Sequence, residues 1–129
     1  SDGNCFFNAV TRAMYLQKLV GRELTPSNLR VMCVHEWQEH LDRYSPFVSD
    51  MGKDIENFRK EKYFDTNLGD LLPLTIANMF MLQLVIVTSI PDLADPIVIN
   101  PTEGPGDLPV IYLTYIHLDC GHYDCAQPQ

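Results

Sequence analysis

What the chain lacks narrows its class before any motif is considered. It has no uninterrupted apolar run of the roughly 18 residues that a transmembrane helix needs. The longest apolar stretch, from Ile76 to Val87, is broken by Asn78 and Gln83. The N-terminal residues also lack the basic, apolar and small-residue pattern of a secretion signal. We therefore expect a protein that does not engage a membrane.

Positive charge is scarce as well. Nine lysines and arginines stand against 17 aspartates and glutamates, which gives a net charge of −8 at neutral pH. The basic residues of the one cluster, Arg59, Lys60 and Lys62, are interleaved with Glu61, a pattern typical of a solvated helix face. Because nucleic acid binding needs a concentrated positive surface, we expect no nucleic acid partner. An acidic protein is better suited to a basic partner.

Disulfides are not required by the composition. The four cysteines are Cys5, Cys33, Cys120 and Cys125, and a chain of 129 residues can bury a sizeable core without them. We expect free thiols in a reducing compartment, hence a cytoplasmic protein, with the nucleus as the alternative. A zinc site using Cys120, His122 and Cys125 is a weaker hypothesis, because their spacing matches no standard zinc pattern. We therefore expect no metal.

Helical periodicity and capping chemistry predict four helices in the first two thirds of the chain. Thr25 before Pro26 is the clearest start signal, since a hydroxyl can cap the helix and proline suits its first position. Gly21 should end the first helix and Asp54 should cap the third. Pro73 should fall in the first turn of the fourth, after turn-forming residues 66–70. The predicted spans are about 5–19, 26–44, a short helix after 54, and 70–81.

From residue 82 onward the pattern changes to runs of β-branched and aromatic residues. Such runs predict strands over 84–88, 96–99, 110–118 and 122–126. Helices that precede strands, rather than alternate with them, indicate an α+β class. The length fits one domain spanning residues 1–129. We expect a monomer, and expect this domain to be part of a longer protein.

Cys5 is the first candidate for chemistry. Gly3 permits a tight backbone turn before it, and the predicted helix begins at Cys5 itself. At a helix N-terminus the dipole and the unpaired amides favour a thiolate and can also bind an oxyanion. The alternative is a buried cysteine that only packs, which is the commoner situation for an isolated cysteine.

His122 and Asp124 are the second candidate pair. Both lie on the last predicted strand, where side chains two positions apart share a face. A nucleophilic cysteine needs a base within hydrogen-bond reach, and a carboxylate can hold that base in one tautomer. Taken alone, a histidine such as His122 on a surface strand is more often structural than catalytic. His117 is the other histidine that could act as a base.

These two segments resemble the motifs of a known family. Residues 2–7, Asp-Gly-Asn-Cys-Phe-Phe, are similar to the nucleophile motif of the ovarian tumour (OTU) family of cysteine deubiquitinases. Residues 122–124, His-Tyr-Asp, resemble that family's C-terminal histidine motif. Between them, residues 69–77 followed by 84–87 resemble its helix-then-strand segment. The three matches occur in the family's order and span nearly the whole chain.

The resemblance implies a papain-like fold, with a central, mostly antiparallel sheet flanked by helices. It implies hydrolysis of the isopeptide bond at the ubiquitin C-terminus, with ubiquitin or polyubiquitin as the partner and no cofactor. Position by position, it implies Cys5 as nucleophile, His122 as base and Asp124 as the acid that orients the histidine. It places Asp2 in the loop that forms the oxyanion hole, together with the Cys5 amide.

Other functions remain open on the sequence alone. A papain-like peptidase acting on a ubiquitin-like modifier, or on a viral or transposon polyprotein, would carry the same core residues. A non-catalytic ubiquitin-binding module is disfavoured because Cys5, His122 and Asp124 are all present. A structural zinc domain would bind stoichiometric metal.

Overall fold

The computed structural model describes residues 5–47, 51–59, 67–88, 95–103, 106–116 and 122–126. Within these ranges helices precede strands, which confirms the predicted α+β class. The helices are α1 (Cys5–Leu16), α2 (Pro26–Glu39), α3 (Leu41–Tyr44), a 3-10 turn (Ser45–Phe47), α4 (Met51–Arg59) and α5 (Asn67–Phe80). The strands are β1 (Gln83–Thr88), β2 (Ile97–Ile99), β3 (Val110–Ile116) and β4 (His122–Ala126).

The four strands form one mixed sheet in the order β2-β1-β3-β4. The central pair, β1 and β3, is parallel, whereas β2 and β4 pair antiparallel with their neighbours. The sheet is therefore mostly antiparallel, as expected. The pairing also sets the faces, because residues directly opposite one another share a face: Leu84 lies beside Ile111, and Ile86 lies beside Leu113.

The hydrophobic core lies between the helices and one face of this sheet. Leu84, Ile86, Ile111 and Leu113 are buried on that face together with apolar residues of every α-helix from α1 to α5. Val87 and Val98, by contrast, are about half exposed, at 48% and 51%. Strands of this kind bury alternate side chains against a helical layer.

The first helix ends earlier than Gly21, so that prediction was wrong. Lys18 adopts the left-handed conformation with φ of 63°, and the Leu19 amide donates to the Met14 carbonyl at 2.9 Å. This is the hydrogen-bond pattern of a Schellman cap, which satisfies a carbonyl left unpaired at the helix end. A lysine occupies the position where glycine is usual, which is why no local signal marked the helix end there.

The fourth predicted helix starts earlier than expected. α5 begins at Asn67, so residues 67–70 are helical rather than a turn, and Pro73 lies inside the helix rather than in its first turn. The same helix ends as α1 does: Met81 has φ of 52°, and the Leu82 amide donates to the Ala77 carbonyl at 3.2 Å. Burial of Leu72 and Ile76 outweighs the one backbone hydrogen bond that Pro73 removes.

Of the remaining helix predictions, one is confirmed and two are wrong. The Thr25 hydroxyl accepts the Asn28 amide at 3.1 Å, as the predicted N-cap should. The long helix predicted as far as residue 44 is broken at His40, whose ψ of 49° is not helical. Asp54 is the fourth residue of α4 rather than its cap, because the helix begins at Met51.

Candidate active site

Cys5 is the first residue of α1, as predicted. Its thiol is free and partly exposed. The amides of a helix's first turn have no intrahelical partner and carry the positive end of the helix dipole. Cys5 therefore combines access to solvent with a position beside amides that can bind an oxyanion.

Two phenylalanines fix the start of α1. Phe6 and Phe7 follow Cys5 directly and are both fully buried. Phe7 points towards α4, where its ring centroid lies 6.1 Å from that of Phe58. Phe6 points towards the sheet and meets Tyr123 edge-to-face, with ring centroids 5.0 Å apart. The nucleophile is thus carried on a segment whose next two side chains are locked into the core.

His122 is the first residue of β4 and pairs with Ile116 at the end of β3. Because Tyr123 is its immediate neighbour, the contact between Phe6 and Tyr123 brings the start of α1 beside the start of β4. Tyr123 packs against the core, as expected for a residue between a base and its acid. Strand alternation therefore assigns positions 122 and 124 to the other face of β4.

Asp124 is exposed on β4 opposite Thr114. One of its carboxylate oxygens, Oδ1, accepts the Cys125 amide at 2.8 Å, and its backbone carbonyl accepts the Thr114 hydroxyl at 3.4 Å. The first of these hydrogen bonds holds the carboxylate close to the strand backbone. Asp2, His117 and Cys120 lie outside the described residues, so the oxyanion role of Asp2 stays a prediction.

Comparison with known proteins settles the family. The sequence profile of the OTU-like cysteine proteases matches residues 1–123. The chain belongs to this family. The OTU domain is accordingly a cysteine protease of the deubiquitinase type, and its fold is the papain-like one.

Solved structures agree with the family match. The OTU domain superposes on the structure of the OTUD1 OTU domain with a TM-score of 0.68 and 29% identity, covering 96% of this chain and 79% of that one. It is also similar in fold to the viral OTU domain protease from Qalyub virus, with a TM-score of 0.63 and 20% identity, covering 97% and 80%. No curated protein matches the chain.

Sequence reasoning missed Arg30, which supports the nucleophile segment of the OTU domain from behind. Its guanidinium is buried on α2, 4.9 Å from the Phe7 ring centroid and 4.7 Å from that of Phe58. Its Nη1 donates to the Phe58 carbonyl at 3.2 Å. An arginine next to an apolar helix stripe normally faces solvent, and only the tertiary contact between α1 and α4 reveals its burial.

A cavity lies away from the proposed catalytic region. It has a volume of about 370 Å³ and opens where β1 and β3 begin, lined by Gln83, Asn100 and Asp107 among others. It is at the opposite end of the sheet from His122, which pairs where β3 ends. Within the described ranges, no three metal-ligating side chains form a cluster, and no helix is long and apolar enough to cross a membrane.

Proposed function

We propose that this OTU domain hydrolyses the isopeptide bond that joins the ubiquitin C-terminus to a lysine, with Cys5 as nucleophile and His122 as general base. Family membership supports the reaction class, and the two motif segments lie within the matched residues 1–123. The observation that carries the proposal is the contact between Phe6 and Tyr123, because it joins the segment bearing Cys5 to the segment bearing His122.

The reaction needs two steps on one cysteine. The Cys5 thiolate attacks the terminal glycine carbonyl of ubiquitin, which forms a tetrahedral oxyanion next to the amides that open α1. Collapse of the oxyanion breaks the bond to the lysine nitrogen, and His122 donates to the leaving amine the proton that it took from the Cys5 thiol. His122 then removes a proton from water, which attacks the thioester and releases the ubiquitin carboxylate and the Cys5 thiol.

Asp124 and Asp2 complete the proposed site. Asp124 would accept a ring N–H of His122 and hold the other ring nitrogen towards Cys5. Its Oδ1 accepts the Cys125 amide at 2.8 Å, which limits the rotation of the carboxylate. The backbone at Asp2, with the Cys5 amide, would donate to the oxyanion. The cytoplasmic location and the monomeric state stay predictions.

The first experiment uses a ubiquitin probe with a cysteine-reactive group at its C-terminus. Wild-type protein should form a covalent adduct, whereas Cys5→Ala should form none and Cys33→Ala, which removes a fully buried thiol, should react normally. His122→Ala should slow adduct formation, and Asp124→Asn should slow it less. Circular dichroism on each variant establishes that it is folded.

The outcomes separate the proposal from its rivals. An adduct that depends on Cys5 establishes the nucleophile and shows that ubiquitin is recognised. If a folded wild-type protein forms no adduct with ubiquitin but reacts with a probe built on a ubiquitin-like modifier, the substrate assignment is wrong and the chemistry stands. If Cys5→Ala still forms the adduct, the assignment of the nucleophile is wrong.

A further inference from the structure

Three aromatic rings connect the nucleophile segment to the last two strands. Phe6 meets Tyr123 edge-to-face at 5.0 Å and an interplanar angle of 79°. Tyr123 in turn packs on Tyr115, its cross-strand partner, at 4.8 Å. We refer to Phe6, Tyr123 and Tyr115 as the aromatic clasp. It spans α1, β4 and β3 in one continuous set of contacts.

The clasp is adjacent in sequence to both reacting residues. Phe6 follows Cys5, and Tyr123 follows His122, so each ring is attached one Cα step of about 3.8 Å from the residue that it would position. A slide of α1 along β4 would therefore change the ring contact and the separation of Cys5 from His122 together. Farther along α1, Val10 and Met14 are fully buried as well, but neither lies next to a reacting residue.

We propose that the aromatic clasp positions the nucleophile against its base, so that Phe6 and Tyr123 set the register of α1 on β4. This inference rests on the proposed roles of Cys5 and His122. Edge-to-face pairs hold a preferred geometry in addition to burying area, and a buried ring cannot shift without displacing its neighbours. Neither ring is proposed to touch substrate. Each ring acts through the residue that precedes it.

The test compares the same substitution at two tyrosines. Tyr123→Leu opens the clasp, whereas Tyr44→Leu makes the identical change at a buried residue of α3 whose hydroxyl contacts Glu36 and Asn78. Tyr123→Phe keeps the ring and should rescue the clasp. For each variant we would measure kcat and KM on a fluorogenic ubiquitin substrate, together with the melting temperature.

We expect Tyr123→Leu to lower kcat by about 10- to 100-fold with little change in KM, since small misplacements of reacting groups cost rate rather than binding. Tyr44→Leu should lower the melting temperature comparably and leave kcat near the wild-type value, and Tyr123→Phe should have a kcat close to that of the wild type. Equal losses of kcat in the two leucine variants would overturn the proposal, because the clasp would then contribute only stability. So would a Tyr123→Leu variant of normal kcat.

A second readout does not depend on ubiquitin. The rate at which iodoacetamide alkylates Cys5, followed by mass spectrometry across pH, reports how well a protonated histidine stabilises the thiolate. Opening the clasp should move this profile towards higher pH, and Tyr44→Leu should leave it in place. If ubiquitin proves not to be the substrate, the alkylation profile still tests the clasp. An unshifted profile in Tyr123→Leu argues against it whichever substrate is correct.

Discussion

Arg30 and Phe58 contact each other twice. The Arg30 guanidinium stacks 4.7 Å from the Phe58 ring centroid, and its Nη1 donates to the carbonyl of the same residue at 3.2 Å. The same guanidinium lies 4.9 Å from the ring centroid of Phe7, two positions after the nucleophile. A planar, weakly hydrated cation can lie against aromatic rings and still donate hydrogen bonds from its edge.

We therefore expect Arg30→Lys to be far from conservative. A lysine ammonium keeps the charge but loses the planar guanidinium and its several N–H donors. The free energy of unfolding should therefore fall by about 2 kcal/mol. Urea denaturation followed by fluorescence measures this. Arg12→Lys, at an exposed position of α1, is the control and should change nothing. An Arg30→Lys variant as stable as the wild type would show that the two ring contacts contribute no stability.

Tyr44 predicts a pH dependence at the alkaline end. Its hydroxyl donates to Glu36 Oε2 at 2.7 Å and accepts the Asn78 amide at 3.0 Å. Burial, above all, raises the pKa of Tyr44 from 10.0 to about 12. A raised folded-state pKa means that the folded protein holds the proton longer than the unfolded chain does, so this stabilisation is full below pH 10 and is lost between about pH 10 and 12.

The measurement compares wild type with Tyr44→Phe. At neutral pH the variant should be less stable by about 1–2 kcal/mol, because the partners of the hydroxyl remain without it. The difference in free energy of unfolding between the two proteins should narrow as the pH rises from 10 to 12. Titration of other tyrosines affects both proteins alike, so only the difference matters. A gap that stays constant to pH 12 would contradict the pKa assignment.

Replacing Lys18 by glycine should make the protein more stable. It holds φ of 63° at the end of α1, a conformation that costs an L-residue roughly 1–2 kcal/mol and glycine little. Lys18→Gly should therefore raise the free energy of unfolding by about 1 kcal/mol, although the more flexible unfolded chain reduces the gain. The same substitution at Arg12, inside α1, should destabilise the helix. A loss of stability in Lys18→Gly would mean that the lysine side chain contributes more than the strain it carries.

Cys33 should behave as an inert core thiol. It is fully buried on α2, and burial raises its pKa far above the ordinary range of a thiol. In native protein, iodoacetamide should label Cys5 quickly and Cys33 only after unfolding in urea. Cys33→Ser should cost about 1–3 kcal/mol, since a hydroxyl would be buried where the sulfur packs. Native labelling of Cys33 as fast as that of Cys5 would contradict its burial.

The sequence predicted the strands, and the position of Cys5 at the start of α1, better than it predicted the helix boundaries. β4 begins and ends at the predicted residues, and Cys5 opens α1 as expected, because both follow from local patterns: alternation for the strand, and the turn residues before the helix. The end of α1 was not predictable in the same way, because it is set by Lys18 in the left-handed conformation, where the sequence offers no glycine. α5 ends at Phe80, close to its predicted end, but begins at Asn67, earlier than predicted.

Contacts between residues that are distant in sequence could not be predicted from local patterns. Arg30 is buried only because Phe7 and Phe58 close on it from two other helices. The meeting of Phe6 with Tyr123 could not be deduced from either residue's neighbours, although the family resemblance implied that the segments before them should converge. Side-chain periodicity assigns a face to each residue, but it does not say which face meets which.

Phe6 and Tyr123 of the clasp are separated by more than a hundred residues of sequence. Synthesis runs from the N-terminus, so Phe6 leaves the ribosome long before Tyr123 does. Contacts of such long sequence separation form late and slowly in folding. A chain synthesised only as far as β3 can therefore display the cysteine but cannot close the ring contact beside it, and the proposed site can assemble only after β4 has been made.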